Sequence, residues 1–210
     1  MSARPERSRP TTQFIRLRPV VHGIAVSLVA MPGGGKSTVG RQLARQLGMH
    51  FHDVDTVIEE RIGCPIRVFF DREGESRFRD IEQKVVAELA ALPNVVIATG
   101  GGAVLRPENR AALREHTTVV YLRSSPEELF RRLRHDTRRP LLQVPDPMGK
   151  LRELYAARDP LYRQTAHFVI ETGRPSVPTL VSMILMQLEL AGIVDPATAP
   201  SPIDARPRRG

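Results

Sequence analysis

The sequence predicts an α/β fold in which a parallel sheet is covered by helices on both faces. Short runs rich in β-branched residues alternate along the chain with segments of helical periodicity. The runs at 24–29, 95–98, 118–122 and 168–170 are almost entirely apolar, which is typical of parallel strands buried on both faces. The first run leads through consecutive glycines directly into a helical segment, an order that is typical of α/β proteins that bind phosphate groups.

Helical spacing of apolar residues predicts the connecting helices. In the first of them, apolar residues from Val39 to Leu47 recur on one face, and Gly48 ends the helix. Pro160 is expected to end another, because proline lacks the backbone N–H that a helix interior needs. The predicted helices span 36–47, 56–62, 66–70, 75–92, 107–115, 126–134, 149–158 and 176–190, and a brief extended piece covers 51–55.

The glycine run lies within residues 26–38, Val-Ser-Leu-Val-Ala-Met-Pro-Gly-Gly-Gly-Lys-Ser-Thr. Glycines let several backbone N–H groups turn toward an anion, and the following helix adds its free N–H groups and the positive end of its dipole. Lys36 can then reach the β- and γ-phosphates, and the Ser37 hydroxyl can ligate Mg²⁺. The strict pattern has glycine where this chain has Ala30; the alternative is a glycine-rich turn followed by Lys-Ser by chance. The predicted phosphate-binding residues are Gly33, Gly34, Gly35, Lys36, Ser37 and Thr38.

Two aspartates, Asp53 and Asp55, end the extended piece that follows the first helix. In an extended segment, residues two apart point to the same side, so both carboxylates are expected at the carboxyl edge of the sheet. One can hold Mg²⁺ through water, and the other can accept a proton from an incoming hydroxyl. The alternative is that Asp55 only caps the helix predicted to begin at Thr56.

A second glycine cluster, Thr99-Gly100-Gly101-Gly102, follows the buried run at 95–98. Three glycines at the end of a strand let a ligand approach the backbone closely and accept hydrogen bonds from its N–H groups. A plain tight turn needs fewer glycines, so the cluster favours a binding loop.

An arginine and a glutamate, Arg79 and Glu82, lie three apart within a predicted helix and therefore share one face. An arginine held by a neighbouring glutamate is oriented to bind a planar anion such as a carboxylate. A surface ion pair is the common alternative, and spacing alone favours it.

The segment 135–147 is polar and proline-containing, which predicts a mobile loop. Arg138 and Arg139 lie within it, and Arg132 lies just before it. An arginine carried by a mobile loop can stabilise the charge that develops during phosphoryl transfer, although an ordinary solvated basic loop has the same composition. Arg158, in Arg-Asp-Pro-Leu-Tyr, has no role that spacing alone can assign.

Composition bounds the class of protein. A chain of 210 residues with 41% hydrophobic residues suits one domain, and the single cysteine, Cys64, excludes a disulfide framework or a cysteine-based metal site. The net charge of +8 comes largely from the ends of the chain. Residues 1–19 hold five arginines against one glutamate and residues 201–210 three against one aspartate, so the charge says little about the folded surface. No secretory signal or membrane-spanning run is present in the sequence, and we expect a cytoplasmic protein.

The expected organisation is a disordered basic tail at 1–19, one domain at 20–194 and a disordered tail at 195–210. Within the domain, 54–82 is expected to bind a substrate and 135–147 to act as a lid.

Taken together, the ordered motifs resemble those of the shikimate kinase family over about residues 23–190. They are Gly-Gly-Gly-Lys-Ser-Thr, Asp-x-Asp, Phe-Arg-x-x-Glu, Gly-Gly-Gly, Arg-Pro-Leu-Leu and Arg-x-Pro-Leu-Tyr. The resemblance implies a nucleoside-monophosphate-kinase-like P-loop fold with a five-stranded parallel sheet, a lid and a substrate-binding segment. It also implies an ATP-dependent kinase that phosphorylates shikimate and uses Mg²⁺.

The resemblance also assigns roles to individual residues. Lys36 and Ser37 are implied to contact phosphate and Mg²⁺, with Asp53 completing the metal site, and Asp55 is implied to bind the reacting hydroxyl and act as base. The carboxylate of shikimate is implied to be held by Arg79 and Arg158 beside Gly101 and Gly102. Arg139 is implied to reach the ATP phosphates from the lid, and Arg132 to stack on adenine.

Three other functions share some of these features. A related small-polyol kinase, such as a gluconate kinase, would turn over ATP without using shikimate. A non-catalytic sensor of the same fold would be expected to lack a catalytic residue, and Lys36, Ser37, Asp53, Asp55 and Arg79 are all present. A nucleic-acid-binding protein would depend on its basic tails. We expect a monomer that acts on ATP and shikimate, with no nucleic-acid or membrane partner.

Overall fold

The computed structural model describes residues 23–134, 144–173 and 175–195. The basic tail at 1–19, most of the segment 135–147 with Arg138 and Arg139, and the tail beyond residue 195 lie outside these ranges. In the described part of the chain, five parallel strands form one sheet in the order β2-β3-β1-β4-β5. The strands are β1 (Ala25–Val29), β2 (His50–Asp53), β3 (Val95–Ala98), β4 (Thr118–Arg123) and β5 (Phe168–Glu171).

Helices follow each strand, as the alternating pattern predicts. They are α1 (Lys36–Leu47), α2 (Val54–Ile62), α3 (Ile66–Ala90), α4 (Pro107–His116), α5 (Pro126–Leu133), α6 (Pro147–Thr165) and α7 (Val177–Leu190). The first and last pack on one face of the sheet and the others on the opposite face, which gives a three-layer α/β fold. None of the helices in the described ranges is long and apolar enough to cross a membrane.

The central strand β1 determines where the site lies. It is fully buried and pairs with β3 on one side and with β4 on the other. The direction in which successive strands are added to the sheet therefore reverses at β1, with β3 and β2 on one side and β4 and β5 on the other. In open parallel sheets, ligands bind at the carboxyl ends of the strands beside such a reversal. The glycine run that follows β1 therefore occupies the expected position for a ligand-binding loop.

Two of the expected helix boundaries are wrong. The helix predicted to end at Arg158 continues through Pro160 to Thr165. Proline removes only one backbone donor, whereas the turns beyond it bury Tyr162 completely, and this burial outweighs the missing hydrogen bond. Asp55, predicted to be extended, lies instead in the first turn of α2, because the strand ends at Asp53.

A glycine divides α3 into two parts. Gly74 has φ 81° and ψ 168°, so the helix is interrupted there and turns before it continues. The sequence predicts separate helices at 66–70 and 75–92, which agrees with this break. The part of α3 that precedes Gly74 and the helix α2, which packs on α3, carry several of the residues described below.

Candidate active site

The phosphate loop, residues 30–35, connects β1 to α1. Gly33 and Gly35 have φ of 81° and 85°, a left-handed backbone that favours glycine. A Cβ placed on Gly34 would lie 2.6 Å from the Cβ of Ala30, so this position also needs glycine. Asn94 is the one non-glycine residue with positive φ in the described ranges, so Ala30 occupies a conformation that any residue can adopt.

Lys36 begins α1 and folds back over the phosphate loop. Its Nζ donates to the carbonyl oxygens of Ala30 at 3.1 Å and Met31 at 3.4 Å. No side chain caps this helix, so the N–H groups of its first turn, which includes Ser37 and Thr38, can donate to an anion. The loop and the helix N-terminus together present one lysine and the free N–H groups of the first helical turn on one side, and phosphate binding there stays a prediction.

Ser37 and Asp53 meet at the end of β2. The Ser37 hydroxyl donates to Asp53 Oδ2 at 2.5 Å, while Asp53 Oδ1 accepts from the Asp55 N–H at 3.1 Å. The helix cap is therefore Asp53 and not Asp55. Hydroxyl and carboxylate oxygens are the hard donors that Mg²⁺ prefers, and the described residues hold no cluster of three or more acidic, histidine or cysteine ligands. The donor types of Ser37 and Asp53 fit Mg²⁺, which is usually bound by one or two protein ligands together with substrate phosphates.

A pocket of about 620 Å³ opens beside Pro32 of the phosphate loop. We call it the acceptor pocket. Its walls come from α2, both parts of α3, the glycine loop (residues 100–102) and α6. Its lining residues are Pro32, Asp55, Ile66, Arg67, Phe70, Asp71, Glu75, Phe78, Arg79, Glu82, Gly100, Gly101, Gly102 and Arg158.

Arg79 is held rigidly in this pocket. It donates to Glu82 at 2.7 Å and to Glu75 at 2.9 Å, and its guanidinium lies 5.2 Å from the centroid of the Phe78 ring. A Cβ on Gly102 would collide with the guanidinium, so glycine is required for Arg79 to lie against this loop. Burial lowers the pKa of Arg79, but the two glutamates raise it overall, so the side chain is permanently charged.

Glu82 is the most deeply buried carboxylate in the acceptor pocket, with 1% of its surface exposed. Burial raises its pKa, the charge of Arg79 opposes that rise, and the nearby Asp55 carboxylate adds to it. Its Oε1 has no hydrogen-bond partner among the described residues. A Cβ on Gly100 would lie 2.6 Å from this oxygen and 2.9 Å from Asp55 Oδ1, so the two carboxylates approach one another across a glycine.

Arg158 reaches the pocket from α6. Its Nη1 donates to the carbonyl oxygen of Gly101 at 3.1 Å. The structure thus brings together the five residues that the sequence predicts for substrate binding, although they come from four separate segments of the chain. They are Asp55, Arg79, Gly101, Gly102 and Arg158.

Arg132 lies outside the acceptor pocket. It donates to Ser124 Oγ at 3.2 Å and to the Thr172 carbonyl at 2.6 Å, which fixes it between the chain segments that follow β4 and β5. Arg139, the other arginine predicted to contact the nucleotide, lies outside the described residues.

Sequence reasoning missed part of the pocket wall. Phe70 and Phe78 line the pocket although their spacing indicates only core residues. Tyr162, to which the sequence assigns no role, lies behind the wall and contacts Gly101. Tyr162 follows Arg158 by four residues, a spacing that places both on one face of a helix. That signal was hidden by the expectation that Pro160 ends the helix.

Comparison with known proteins agrees with this geometry. The family model for shikimate kinase matches residues 32–189. The shikimate kinase of Ralstonia nicotianae is 58% identical over 177 residues, which cover 84% of this chain and 93% of that protein. The shikimate kinase of Paracidovorax citrulli is 60% identical, with 83% of this chain and 97% of that protein covered.

Solved structures give the same result. The structure of shikimate kinase from Acinetobacter baumannii in complex with shikimate has a TM-score of 0.76 and 42% identity, and the match covers 89% of this chain and all of that one. A gluconokinase from Sinorhizobium meliloti has a TM-score of 0.51 at 18% identity, so it shares the fold alone. The match to the family model and the level of identity confirm the resemblance read from the motifs: the chain belongs to the shikimate kinase family.

Proposed function

We propose that this protein transfers the γ-phosphate of ATP to the 3-hydroxyl of shikimate, giving shikimate 3-phosphate and ADP. One observation carries the proposal. Among the three arginines and four acidic residues that line the acceptor pocket are Arg79, Arg158 and Asp55, and the pocket opens directly beside Pro32 of the phosphate loop. A small hydroxylated acid bound there would lie between groups that recognise its carboxylate and a cradle that holds the phosphate donor.

Arg79 and Arg158 hold the carboxylate of the acceptor. Arg79 is fixed by Glu82 and Glu75 before any ligand binds, so little side-chain entropy is lost when it pairs with a carboxylate. The glycine loop allows the ring of the acceptor to approach the backbone at Gly101 and Gly102. The two guanidinium groups, Arg79 and Arg158, favour an acceptor that carries a carboxylate.

Asp55 accepts the proton of the reacting hydroxyl. It is exposed to the pocket at the start of α2, on the side of the pocket where β2 ends. A carboxylate within reach of the hydroxyl increases its nucleophilicity and orients it for in-line attack on the γ-phosphate. The attacking oxygen keeps its bond to the carbon ring of the acceptor and forms a new bond to the γ-phosphorus. The bond between the γ-phosphorus and the β,γ-bridging oxygen breaks.

The nucleotide is bound by the phosphate loop and α1. The N–H groups of Gly33, Gly35, Ser37 and Thr38 donate to the phosphates, whereas that of Gly34 donates to the Met31 carbonyl at 3.0 Å and closes the loop. Lys36 gives up its hydrogen bonds to the Ala30 and Met31 carbonyls and donates to phosphate oxygens instead. We assign Arg132 to the adenine and Arg139 of the segment 135–147 to the γ-phosphate, where closure of that segment would also exclude water.

Ser37 and Asp53 would hold Mg²⁺. The Ser37 hydroxyl and the Asp53 carboxylate already contact each other, so both can face the same cation. When bound, Mg²⁺ neutralises charge on the β- and γ-phosphates.

A coupled assay that follows ADP release tests the proposal. ATP and MgCl₂ are supplied with shikimate, with gluconate, or with no acceptor. Turnover that depends on shikimate supports the proposal, and turnover with gluconate alone would show a related polyol kinase. No turnover with either acceptor, despite measurable binding of ATP and shikimate, would show a binding module.

The basic tails are proposed to be dispensable for the chemistry. A chain lacking residues 1–19 should keep its kinase activity, measured in the same assay, and should elute as a monomer in size-exclusion chromatography with light scattering. Loss of activity on trimming would instead favour a role for the tail in the function.

A further inference from the structure

The carbonyl oxygen of Gly101 accepts two hydrogen bonds from α6. The Tyr162 hydroxyl donates at 2.6 Å and Arg158 Nη1 donates at 3.1 Å. A carbonyl oxygen has two lone pairs, so both are used. The proposed function engages Arg158 but leaves Tyr162 without a role, even though its bond to the loop is the shorter of the two.

Gly101 lies at the centre of the site. A Cβ at this position would lie 2.8 Å from Pro32 Cγ, so the backbone here packs directly against the phosphate loop. The neighbouring Gly102 packs against the Arg79 guanidinium in the same way. A small shift of the Gly101 peptide would therefore move the backbone that lies between the phosphate loop and both acceptor-binding arginines.

Tyr162 is well placed to prevent such a shift. Its side chain is completely buried, and its ring stacks on that of Tyr121 with centroids 4.9 Å apart and 22° between the planes. The Tyr121 hydroxyl donates in turn to Asp159 at 2.9 Å. The stacked ring fixes where the Tyr162 hydroxyl lies, and burial raises the pKa of Tyr162 so that it remains a donor at all working pH values.

We propose that Tyr162 is a positioning residue of the acceptor pocket, whose hydroxyl holds the Gly101 carbonyl and thereby determines where Arg158 meets the carboxylate of the acceptor. Without this hydroxyl, Arg158 becomes the only donor from α6 to that carbonyl. Its guanidinium is then drawn toward the glycine loop and is less available to the substrate. This inference rests on the proposed function, because it assumes that Arg158 binds the acceptor.

The test compares two variants that lose the same group. Tyr162→Phe removes the hydroxyl that contacts Gly101 and keeps the stacked ring. Tyr121→Phe removes the hydroxyl of the other ring in the same stack, which contacts Asp159 instead of the glycine loop. Each loses one partly buried hydrogen bond, so the two should lose similar thermal stability.

Isothermal titration calorimetry with shikimate alone, without nucleotide or Mg²⁺, gives the direct measurement. We expect the Kd for shikimate to rise about fivefold in Tyr162→Phe and to stay within about twofold of the wild type in Tyr121→Phe. In steady-state kinetics, the KM for shikimate should rise with the Kd, while the KM for ATP stays unchanged. Equal effects in both variants, or no effect in Tyr162→Phe, would overturn the inference.

A substrate analogue extends the test to the carboxylate itself. With shikimate whose carboxylate is replaced by a hydroxymethyl group, the difference in kcat/KM between wild type and Tyr162→Phe should largely disappear, as in a double-mutant cycle. If the difference persists, the hydroxyl does not act through carboxylate recognition. ADP binding by each variant verifies the fold, and a wild-type protein that fails to bind shikimate would contradict the proposed function rather than this inference.

Discussion

The nucleotide side and the acceptor side of this site are built in different ways. On the proposed nucleotide side, the phosphate loop and the start of α1 form one contiguous stretch, residues 30–38, and only Arg132 and Arg139 are added from elsewhere in the chain. Within that stretch, Lys36 bonds to carbonyls five and six residues before it. On the acceptor side, the residues come from α2, α3, the glycine loop and α6, and Arg158 contacts a carbonyl 57 positions away along the chain. The first is a local backbone structure, whereas the second exists only once the fold has formed.

The difference follows from what each side is proposed to bind. Phosphate groups can be held by backbone N–H groups and a helix terminus, which a short glycine-rich segment supplies by itself. A small hydroxylated acid has to be recognised by several side chains at once, and only tertiary structure brings these together. We therefore expect substitutions on the acceptor side to change acceptor kinetics without changing ATP binding.

The largest expected effect is on Asp55. Asp55→Asn keeps the size of the side chain but removes the base, so kcat should fall about 1000-fold while the KM for ATP stays within about twofold. Stopped-flow or steady-state coupled assays measure the first, and nucleotide titration measures the second. Glu60→Gln, an exposed carboxylate lost from the same helix, should leave kcat unchanged. A kcat for Asp55→Asn within tenfold of the wild type would remove Asp55 as base.

A smaller effect is expected when Arg79 loses its buried partner. Glu82→Gln keeps the shape of the side chain but removes the charge that orients Arg79, so the KM for shikimate should rise about tenfold with little change in kcat. Lys84→Ala, two positions further along α3 and exposed, is the matched control and should leave both constants unchanged. A KM that is insensitive to Glu82→Gln would mean that Glu75 alone is enough to orient Arg79.

A comparison of the wild type with Glu82→Gln also measures the free-energy cost of burying the Glu82 carboxylate. The pKa of Glu82 is raised above its ordinary value of 4.5, chiefly by burial. Its contribution to stability is therefore fully present below pH 4.5 and is lost as the pH rises through the pKa of the folded state. The free energy of unfolding of the wild type, relative to Glu82→Gln, should fall as the pH rises above 4.5, as measured by urea denaturation. A difference that increases with pH would contradict this.

The contrast also explains how much could be read from the sequence. The strands, the glycine run and the order Lys36-Ser37-Thr38 are local signals, and the structure agrees with them closely. The stacked pair of Tyr121 and Tyr162 and the approach of Glu82 to Asp55 depend on contacts between distant segments, so no local pattern predicted them. Pro160 shows the limit most clearly, because a local propensity that would end a helix is overridden by the burial of Tyr162.

The smallest expected effect is at Ala30, where the chain departs from the strict phosphate-loop pattern. The methyl group of Ala30 is completely buried and would contact any Cβ placed on Gly34, so it fills space inside the loop. The backbone at this position has a negative φ, so glycine would bring no relief of strain. Replacing Ala30 with glycine makes the unfolded chain more flexible and removes one buried methyl group, and both changes lower the free energy of unfolding.

Ala30→Gly should therefore lower the free energy of unfolding by about 1 kcal/mol and leave kcat and the KM for ATP within about twofold of the wild type. Denaturant melts and the coupled assay measure the two quantities. Ala44→Gly, a buried alanine inside α1, carries the same chemical change away from the loop and should cost similar stability. The phosphates of ATP are proposed to be bound by backbone N–H groups. Removing the Ala30 methyl group leaves the directions of these N–H groups unchanged, so it should not change the KM for ATP. A tenfold change in the KM for ATP in Ala30→Gly alone would show that this methyl shapes the loop, and the nucleotide side would then depend on side-chain packing as the acceptor side does.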